Sequence, residues 1–429
     1  MITFAVFGTL LLLLLLNIPV VVAIGITAVI YFVAFGSAGS LYMLPNRMYY
    51  GTTGFTLLAI PFFILAGNLM NVGGVTTRIF RFAKALVGHI PGGLGQVNIT
   101  ASVIFSGMSG SAVADAAGLG QIEHKAMVDD GYEPVVSATL VAASSCIGPV
   151  IPPSIPFVLY CSITGVSVAQ LFMAGFIPGI MMSIGMMVAL AIMAKRYHYP
   201  AAPHRAPFSE LWNSFRAAFW CLLAPVIIIG GIMTGFFTPT EASVVVTLYA
   251  LILGFAYRDL RWRDVPGILF STIKQSVSLL FIMAAANFFG WLVIYKRMPD
   301  NIITLLVNMG ATQSSVLWIV IAIILMMGCF LDGNAIFMIT LPIFMPIIAT
   351  FKIDPINFGV VMTLLIMIGN LTPPVGMCLF AVDSFAKVGV MALGRKMIPY
   401  LATILAVTLI IAFVPEISTF LPKLMMGAP

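Results

Sequence analysis

The sequence predicts an all-α polytopic membrane protein. Of its 429 residues, 61% are hydrophobic and only 8% are charged, and the mean hydropathy is +1.12, whereas a soluble domain carries about 25% charged residues. Apolar runs long enough to cross a bilayer recur along the chain, which predicts about ten to twelve crossings. The runs are continuous and do not alternate, which excludes a membrane β-barrel. The clearest runs are residues 178–194, 219–237, 240–256, 277–294, 316–331 and 400–414.

The N-terminal apolar stretch is expected to be a first membrane segment and not a signal peptide, because it lacks basic residues and a small-residue cleavage site. It forms either one long helix kinked at Pro19 or two short helices joined at residues 17–19. The net charge of +6 lies in loops, where it sets topology and does not indicate nucleic-acid binding. Basic clusters within residues 195–216 and 258–263 therefore predict cytoplasmic loops.

The cysteine and histidine content gives no sign of a disulfide-linked or zinc-binding fold. The five cysteines show no CxxC spacing, and the four histidines are scattered. Neither a disulfide framework nor a zinc site is therefore predicted.

Helix-breaking residues indicate an internal duplication. A shift of 221 residues aligns glycines and prolines without a gap, which predicts two repeats, residues 1–210 and 217–429. The aligned pairs are Gly107 with Gly328, Pro134 with Pro355, Gly148 with Gly369, and Pro152-Pro153 with Pro373-Pro374.

Each repeat contains two interruptions of its apolar pattern. The strings FSGMSGSAVADAAG (105–118) and MMGCFLDGNAIF (326–337) predict the tips of re-entrant hairpins. The strings SSCIGPVIPP and IGNLTPPVGM predict unwound helices at 144–156 and 368–377, with each double proline beginning the second half-helix.

Paired interruptions at corresponding positions indicate a transporter's binding site. Irregular backbone at membrane depth persists only where it is buried in protein or lines a polar cavity. Its carbonyls suit a hard cation such as Na+, and half-helix N-termini suit a carboxylate. Close packing of small residues and local serine hydrogen bonds are the structural alternatives.

Three acidic residues are expected to differ in role. Asp332 lies in a polar gap between apolar runs, where an ionisable group indicates function, so a cation or hydrogen-bonding role is favoured over a helix cap. Asp115, flanked by alanine, could equally anchor two helices. Glu241 forms a capping box with Thr238, with Pro239 between them, and is expected to be structural.

Four strings in order give the chain an end-to-end resemblance to a known family: SGMSGSAVADAAG, GPVIPPSIPF, FTPTEAS and TPPVG, together with AIPFFILAGNLMNVGG at 59–74. The chain resembles the large membrane subunit of tripartite ATP-independent periplasmic (TRAP) transporters. The resemblance implies a bacterial inner-membrane secondary transporter of the ion transporter superfamily. It also implies two inverted repeats with two re-entrant hairpins and two unwound helices, arranged as a scaffold and an elevator transport domain.

The resemblance further implies Na+ as the coupling ion and no organic cofactor. The implied partners are a small four-helix membrane subunit and a periplasmic substrate-binding protein that delivers an organic acid. No enzymatic activity is implied.

Site residues follow from the same resemblance, position by position. The first implied Na+ site comprises Ser109, Gly110, Ser144, Ser145 and Gly148, with Asp115 nearby. The second comprises Gly328, Asp332, Gly369, Asn370 and Thr372. The implied substrate-binding residues are Ser111, Ser154, Asp332 and Asn334. Where relatives often read MDLTPT, this chain reads LDGNAI at 331–336, which keeps the aspartate and follows it with Gly333 and Asn334.

Two alternatives accompany this interpretation. One is a stand-alone Na+/carboxylate transporter of the same superfamily. The other is an intramembrane aspartyl protease using Asp115 and Asp332 as a carboxyl pair. The protease is disfavoured because the 221-residue shift pairs Asp332 with Ser111, and because a Gly-x-Gly-Asp string is absent from the sequence.

Overall fold

The computed structural model describes residues 2–16, 18–35, 41–201 and 204–426. Over these residues the backbone forms 21 α-helices and no strand. Seven segments are long and apolar enough to cross a membrane. They are Phe55–Val72, which joins a 3-10 turn (Phe55–Leu58) to α4 (Ala59–Val72), and α11 (Val168–Tyr197), α12 (Phe208–Met233), α13 (Pro239–Ala256), α14 (Val265–Tyr295), α17 (Gly333–Thr350) and α20 (Val390–Phe413).

The remaining helices are shorter or less apolar. The apolar ones are α1 (Ile2–Leu15), α2 (Val20–Phe35), α9 (Pro134–Ser145), α10 (Ile155–Thr164), α16 (Gln313–Gly328), α18 (Pro355–Asn370) and α19 (Met377–Ala386). The others are α3 (Met43–Tyr50), α5 (Val75–Val87), α6 (Gly93–Ser109), α7 (Ala112–Ala117), α8 (Leu119–Asp129), α15 (Met298–Asn308) and α21 (Pro415–Met426).

The all-helical membrane fold is therefore confirmed. The seven long segments of the described chain are fewer than the ten to twelve crossings expected, because several apolar runs are divided into two half-length helices. At the N-terminus the two-helix alternative is correct: α1 and α2 are separate helices that pack against each other. Pro19 directly precedes α2, and Asn17 lies outside the described residues.

The capping box predicted at the start of α13 is present. Thr238 Oγ1 accepts a hydrogen bond from Glu241 N at 3.3 Å, and Glu241 Oε2 accepts one from Thr238 N at 2.7 Å. Pro239 occupies the first turn, where its missing N–H costs nothing. Glu241 thus serves as a helix cap, as its sequence context predicts.

The predicted breaks interrupt the helices at the expected places. α6 ends at Ser109 because Gly110 adopts a left-handed conformation, with φ at +64°. Residues 146–154 separate α9 from α10, residues 329–332 separate α16 from α17, and residues 371–376 separate α18 from α19.

The prediction that each double proline begins a half-helix is wrong. α10 begins at Ile155, after Ser154, whose hydroxyl accepts a hydrogen bond from Phe157 N at 3.2 Å. A serine N-cap satisfies a free N–H that a proline cannot, so the helix starts after Ser154 and both prolines remain in the link. In the second half, Gly376 is left-handed and confines α19 to the residues that follow it. Both Pro-Pro peptide bonds are cis.

Helices from the two halves of the chain interleave around the breaks. α10, from the first half, packs against α17 and α18, whereas α19, from the second half, packs against α7 and α9. α14 packs against α2, α4 and α17. The breaks of both halves are thereby brought to one region, with α14 beside them.

Candidate functional site

A cavity of about 660 Å³ lies between α2, α4 and α14 on one side and the interrupted helices on the other. Its wall includes both predicted hairpin tips and part of each unwound segment. The lining residues used below are Gly110, Ser111, Pro149, Ile155, Lys274, Gln275, Ser278, Asp332, Gly333, Asn334, Asn370 and Met377. A cavity of this size is ample for a small organic molecule.

The two predicted hairpin tips each present a helix cap to this cavity. Ser111 is the N-cap of α7, and its hydroxyl accepts a hydrogen bond from Ala114 N at 3.4 Å. Asp332 is the N-cap of α17, and its carboxylate accepts one from Asn334 N at 3.1 Å. The two caps are 221 positions apart, the shift that aligns the two halves of the sequence. Each half therefore contributes one polar cap to the lining of the same cavity.

Each tip is also bound to the unwound segment of its own half. Ile155 N donates a hydrogen bond to Gly110 O at 3.4 Å, and Val375 N donates one to Cys329 O at 3.3 Å. In the second half the backbones also touch, because a Cβ at Gly369 would lie 2.7 Å from Gly328 Cα. Tip and unwound segment therefore form one packed unit in each half.

The first predicted Na+ site is partly assembled around Asp115. Ser109 donates a hydrogen bond to the buried Asp115 carboxylate, and a Cβ at Gly148 would lie 2.5 Å from Asp115 Oδ2. Ser144 and Ser145 are buried, and their hydroxyls bond to carbonyls of their own helix, Val141 O at 3.2 Å and Ala142 O at 2.8 Å. The structure thus brings Ser109 and Gly148 together at Asp115, away from the cavity lining.

The residues of the second predicted Na+ site do not all lie in one place. Asp332 and Asn370 line the cavity. Gly328 and Gly369 supply the close backbone contact between α16 and α18. Thr372 points its hydroxyl at Ile368 O, 2.7 Å away.

Three of the four predicted substrate residues line the cavity, and the fourth does not. Ser111, Asp332 and Asn334 face it. Ser154 is fully buried, caps α10 and donates a hydrogen bond from its hydroxyl to Pro149 O. Its neighbour Ile155 reaches the cavity wall in its place.

A polar stripe on α14 was missed by the sequence analysis. Lys274, Gln275 and Ser278 line the same cavity as the two predicted hairpin tips. Lys274 is a charged residue inside a helix apolar enough to span the membrane, and such a residue is a candidate functional position that the sequence alone could have indicated. Asn68 on α4 holds this helix through a 3.0 Å hydrogen bond from its Nδ2 to Thr272 Oγ1.

Comparison with known proteins assigns the chain to a family. The family model for the tripartite ATP-independent periplasmic transporter DctM component matches residues 7–417. The chain belongs to the DctM family. The resemblance seen in the sequence motifs is thereby confirmed.

DctM relatives with assigned names include sialic acid and C4-dicarboxylate permeases. The sialic acid TRAP transporter large permease protein of Vibrio cholerae is 41% identical over 89% of this chain and 90% of its own length. The sialic acid TRAP transporter permease protein of Haemophilus influenzae is also 41% identical, but this chain spans only 62% of its length. The C4-dicarboxylate TRAP transporter large permease protein of Pseudomonas aeruginosa is 38% identical over 90% of this chain and 91% of its own.

Solved structures share the fold of this DctM chain at low sequence identity. The YdaH transporter of Alcanivorax borkumensis superposes with a TM-score of 0.60 at 15% identity, over 92% of this chain and 90% of its own. MtrF of Neisseria gonorrhoeae gives a TM-score of 0.57 at 15% identity, over 90% of this chain and 86% of its own. These likenesses bear on the fold alone.

Membership of the DctM family confirms a bacterial membrane transporter and not an enzyme. The protease alternative also fails on geometry, because Asp332 lines the cavity whereas Asp115 is bonded to Ser109 outside the lining. The two carboxyl groups do not form the shared-proton pair that such a protease requires.

Proposed function

We propose that the chain is the large permease subunit of a Na+-coupled secondary transporter of the bacterial inner membrane. It imports a small organic acid that a periplasmic binding protein delivers, and it works with a small membrane subunit. One observation carries the proposal: the breaks of both halves converge on a single cavity, with the caps Ser111 and Asp332 facing it. Family membership supports the tripartite assembly.

An organic acid suits the chemistry of this cavity. Gly333, Asn334 and Ala335, the first turn of α17, line its wall, and the positive end of a helix dipole favours a carboxylate. The named relatives carry sialic acid or C4-dicarboxylates, which are all carboxylates. The substrate class proposed here is therefore a small carboxylate, held near Ser111 and Asn334.

Na+ is proposed to bind at two places, each with an acidic residue. At the cavity, Asp332 and Asn370 offer side-chain oxygens next to the carbonyls of the second break. Beside the first break, Asp115 lies with Ser109 against Gly148. Broken-helix carbonyls with hydroxyl and carboxylate oxygens are the ligands that Na+ takes in transporters.

The proposed repeats and elevator movement rest on paired features of the two halves. In each half a tip carbonyl accepts a hydrogen bond from the residues that follow the double proline. In each half, too, the helix after the break packs on a helix of the other half. We propose that the tips and breaks move together as the transport domain, past a scaffold that includes α14.

Reconstitution of the complete system tests this proposal. The chain and its small subunit are reconstituted into proteoliposomes, and the secreted binding protein is added outside. Uptake of labelled sialic acid or succinate is then measured. We expect uptake only with an inward Na+ gradient and with all three proteins present. Uptake that persists without the binding protein would instead establish the stand-alone transporter, and uptake that is indifferent to Na+ would overturn the coupling.

A further inference from the structure

Lys274 lies within a spanning helix, between its second and third turns, and lines the cavity. It is the tenth residue of the 31-residue α14, so it lies about 14 Å along the axis from the helix start. A lysine in a spanning helix either snorkels at a helix end or faces a polar cavity or the bundle interior. Lys274 takes the second arrangement, because its side chain is exposed and forms part of the cavity wall.

No carboxylate of the described chain neutralises Lys274. The ion pairs within 4.0 Å among the described residues are Arg78 with Asp259 and Lys396 with Glu133. Asp332 borders the same cavity without pairing with Lys274, and these two are the charged residues of its described wall. Once Asp332 holds a cation, the cavity carries an uncompensated positive charge at Lys274.

Gln275, the residue after Lys274, shows that this part of α14 lies next to the first predicted hairpin tip. Gln275 lines the large cavity and also a small recess that it shares with Asn68, Ser109 and Ser111. The polar stripe of α14 therefore borders the first tip directly. An anion held near Ser111 lies between that tip and the α14 wall.

We propose that Lys274 is the residue that recognises the substrate's carboxylate, as the fixed positive charge of the cavity. This inference rests on the proposed transport of an organic acid and adds the residue that selects for its charge. An ammonium facing an anion in a partly desolvated cavity forms a charge-assisted hydrogen bond, which is stronger than a neutral one. Lys274 then favours acids over neutral analogues of the same shape.

Direct binding to the membrane complex tests the role of Lys274. The chain and its small subunit are purified together into nanodiscs at saturating Na+, and binding of sialic acid and of succinate is titrated. Lys274→Gln is expected to weaken binding of the acid by about tenfold or more, because one charge-assisted contact is lost. Lys274→Arg, which keeps the charge, is expected to stay within about threefold of wild type.

Two further measurements separate recognition from folding and from the transport proposal itself. Lys84→Gln removes an exposed lysine of α5 that does not line the cavity, and it should leave acid binding unchanged. Na+-induced thermal stabilisation should persist in Lys274→Gln, at least as large as in wild type because a nearby positive charge has been removed, which shows that the variant is folded. Unchanged acid affinity in Lys274→Gln would overturn the inference. Absence of acid binding in wild type would overturn the proposed function and this inference with it.

Discussion

Replacing Asp332 by asparagine is expected to weaken Na+ activation of uptake by about 10- to 100-fold, since a contact with a charged group is worth about 1.5–3 kcal/mol. Asparagine keeps an oxygen that can cap α17, as Asp332 does through Asn334 N. The substitution therefore removes the negative charge from the cavity and leaves the helix start intact. The measurement is uptake as a function of Na+ concentration in proteoliposomes.

Asp354 provides a matched control for this substitution. It caps α18 through Ile356 N and Asn357 N, at 2.8 and 2.9 Å, and does not line the cavity. Asp354→Asn should therefore keep the Na+ dependence of wild type. If Asp332→Asn also kept it, Asp332 would be a helix cap and not an ion ligand.

Substituting Gly369 by alanine is expected to lower the free energy of unfolding by about 1–3 kcal/mol, the usual cost of overpacking. The added Cβ would lie 2.7 Å from Gly328 Cα and 3.0 Å from Gly328 O. Both neighbours are backbone atoms, so no side chain can turn aside to make room. Because the clash separates the second tip from its unwound segment, uptake should fall with stability. Thermal unfolding of the complex in nanodiscs measures the first effect and Na+-driven uptake the second.

An open glycine gives the opposite expectation. Gly230 lies within α12, and a Cβ there would meet nothing within 4 Å. Gly230→Ala should raise the free energy of unfolding by up to about 1 kcal/mol, because alanine is the better helix former. Equal behaviour of the two variants would show that the Gly328–Gly369 contact does not constrain the protein.

The sequence was informative where a single residue determines the local backbone. Gly110 ends α6 by adopting φ of +64°, and Thr238 with Glu241 begins α13. These features depend only on residues that are close in the sequence, so the sequence predicts them. The double proline was harder, because Ser154 competes with it as the helix start and prevails through its bond to Phe157 N.

The sequence does not show which residues lie close together in the folded chain. Lys274 lines the same cavity as Ser111 and Asp332 only because α14 packs against α2, α4 and α17, and a linear pattern does not show which helices adjoin. Ser154 illustrates the converse. A serine hydroxyl is a suitable ligand, but in the fold this one accepts a hydrogen bond from Phe157 N and donates one to Pro149 O.

The two acidic residues of the proposed ion sites lie in different surroundings, and this bears on membrane voltage. Asp332 opens to the cavity, whereas Asp115 is sealed beside Ser109. One Na+ at each, moving with a monocarboxylate, carries one net positive charge inward. A membrane potential contributes about 2.3 kcal/mol per elementary charge for each 100 mV. Under the proposed coupling, import of a monocarboxylate is electrogenic, and the charge moved per substrate molecule equals the number of coupled Na+ ions minus the one negative charge of the substrate.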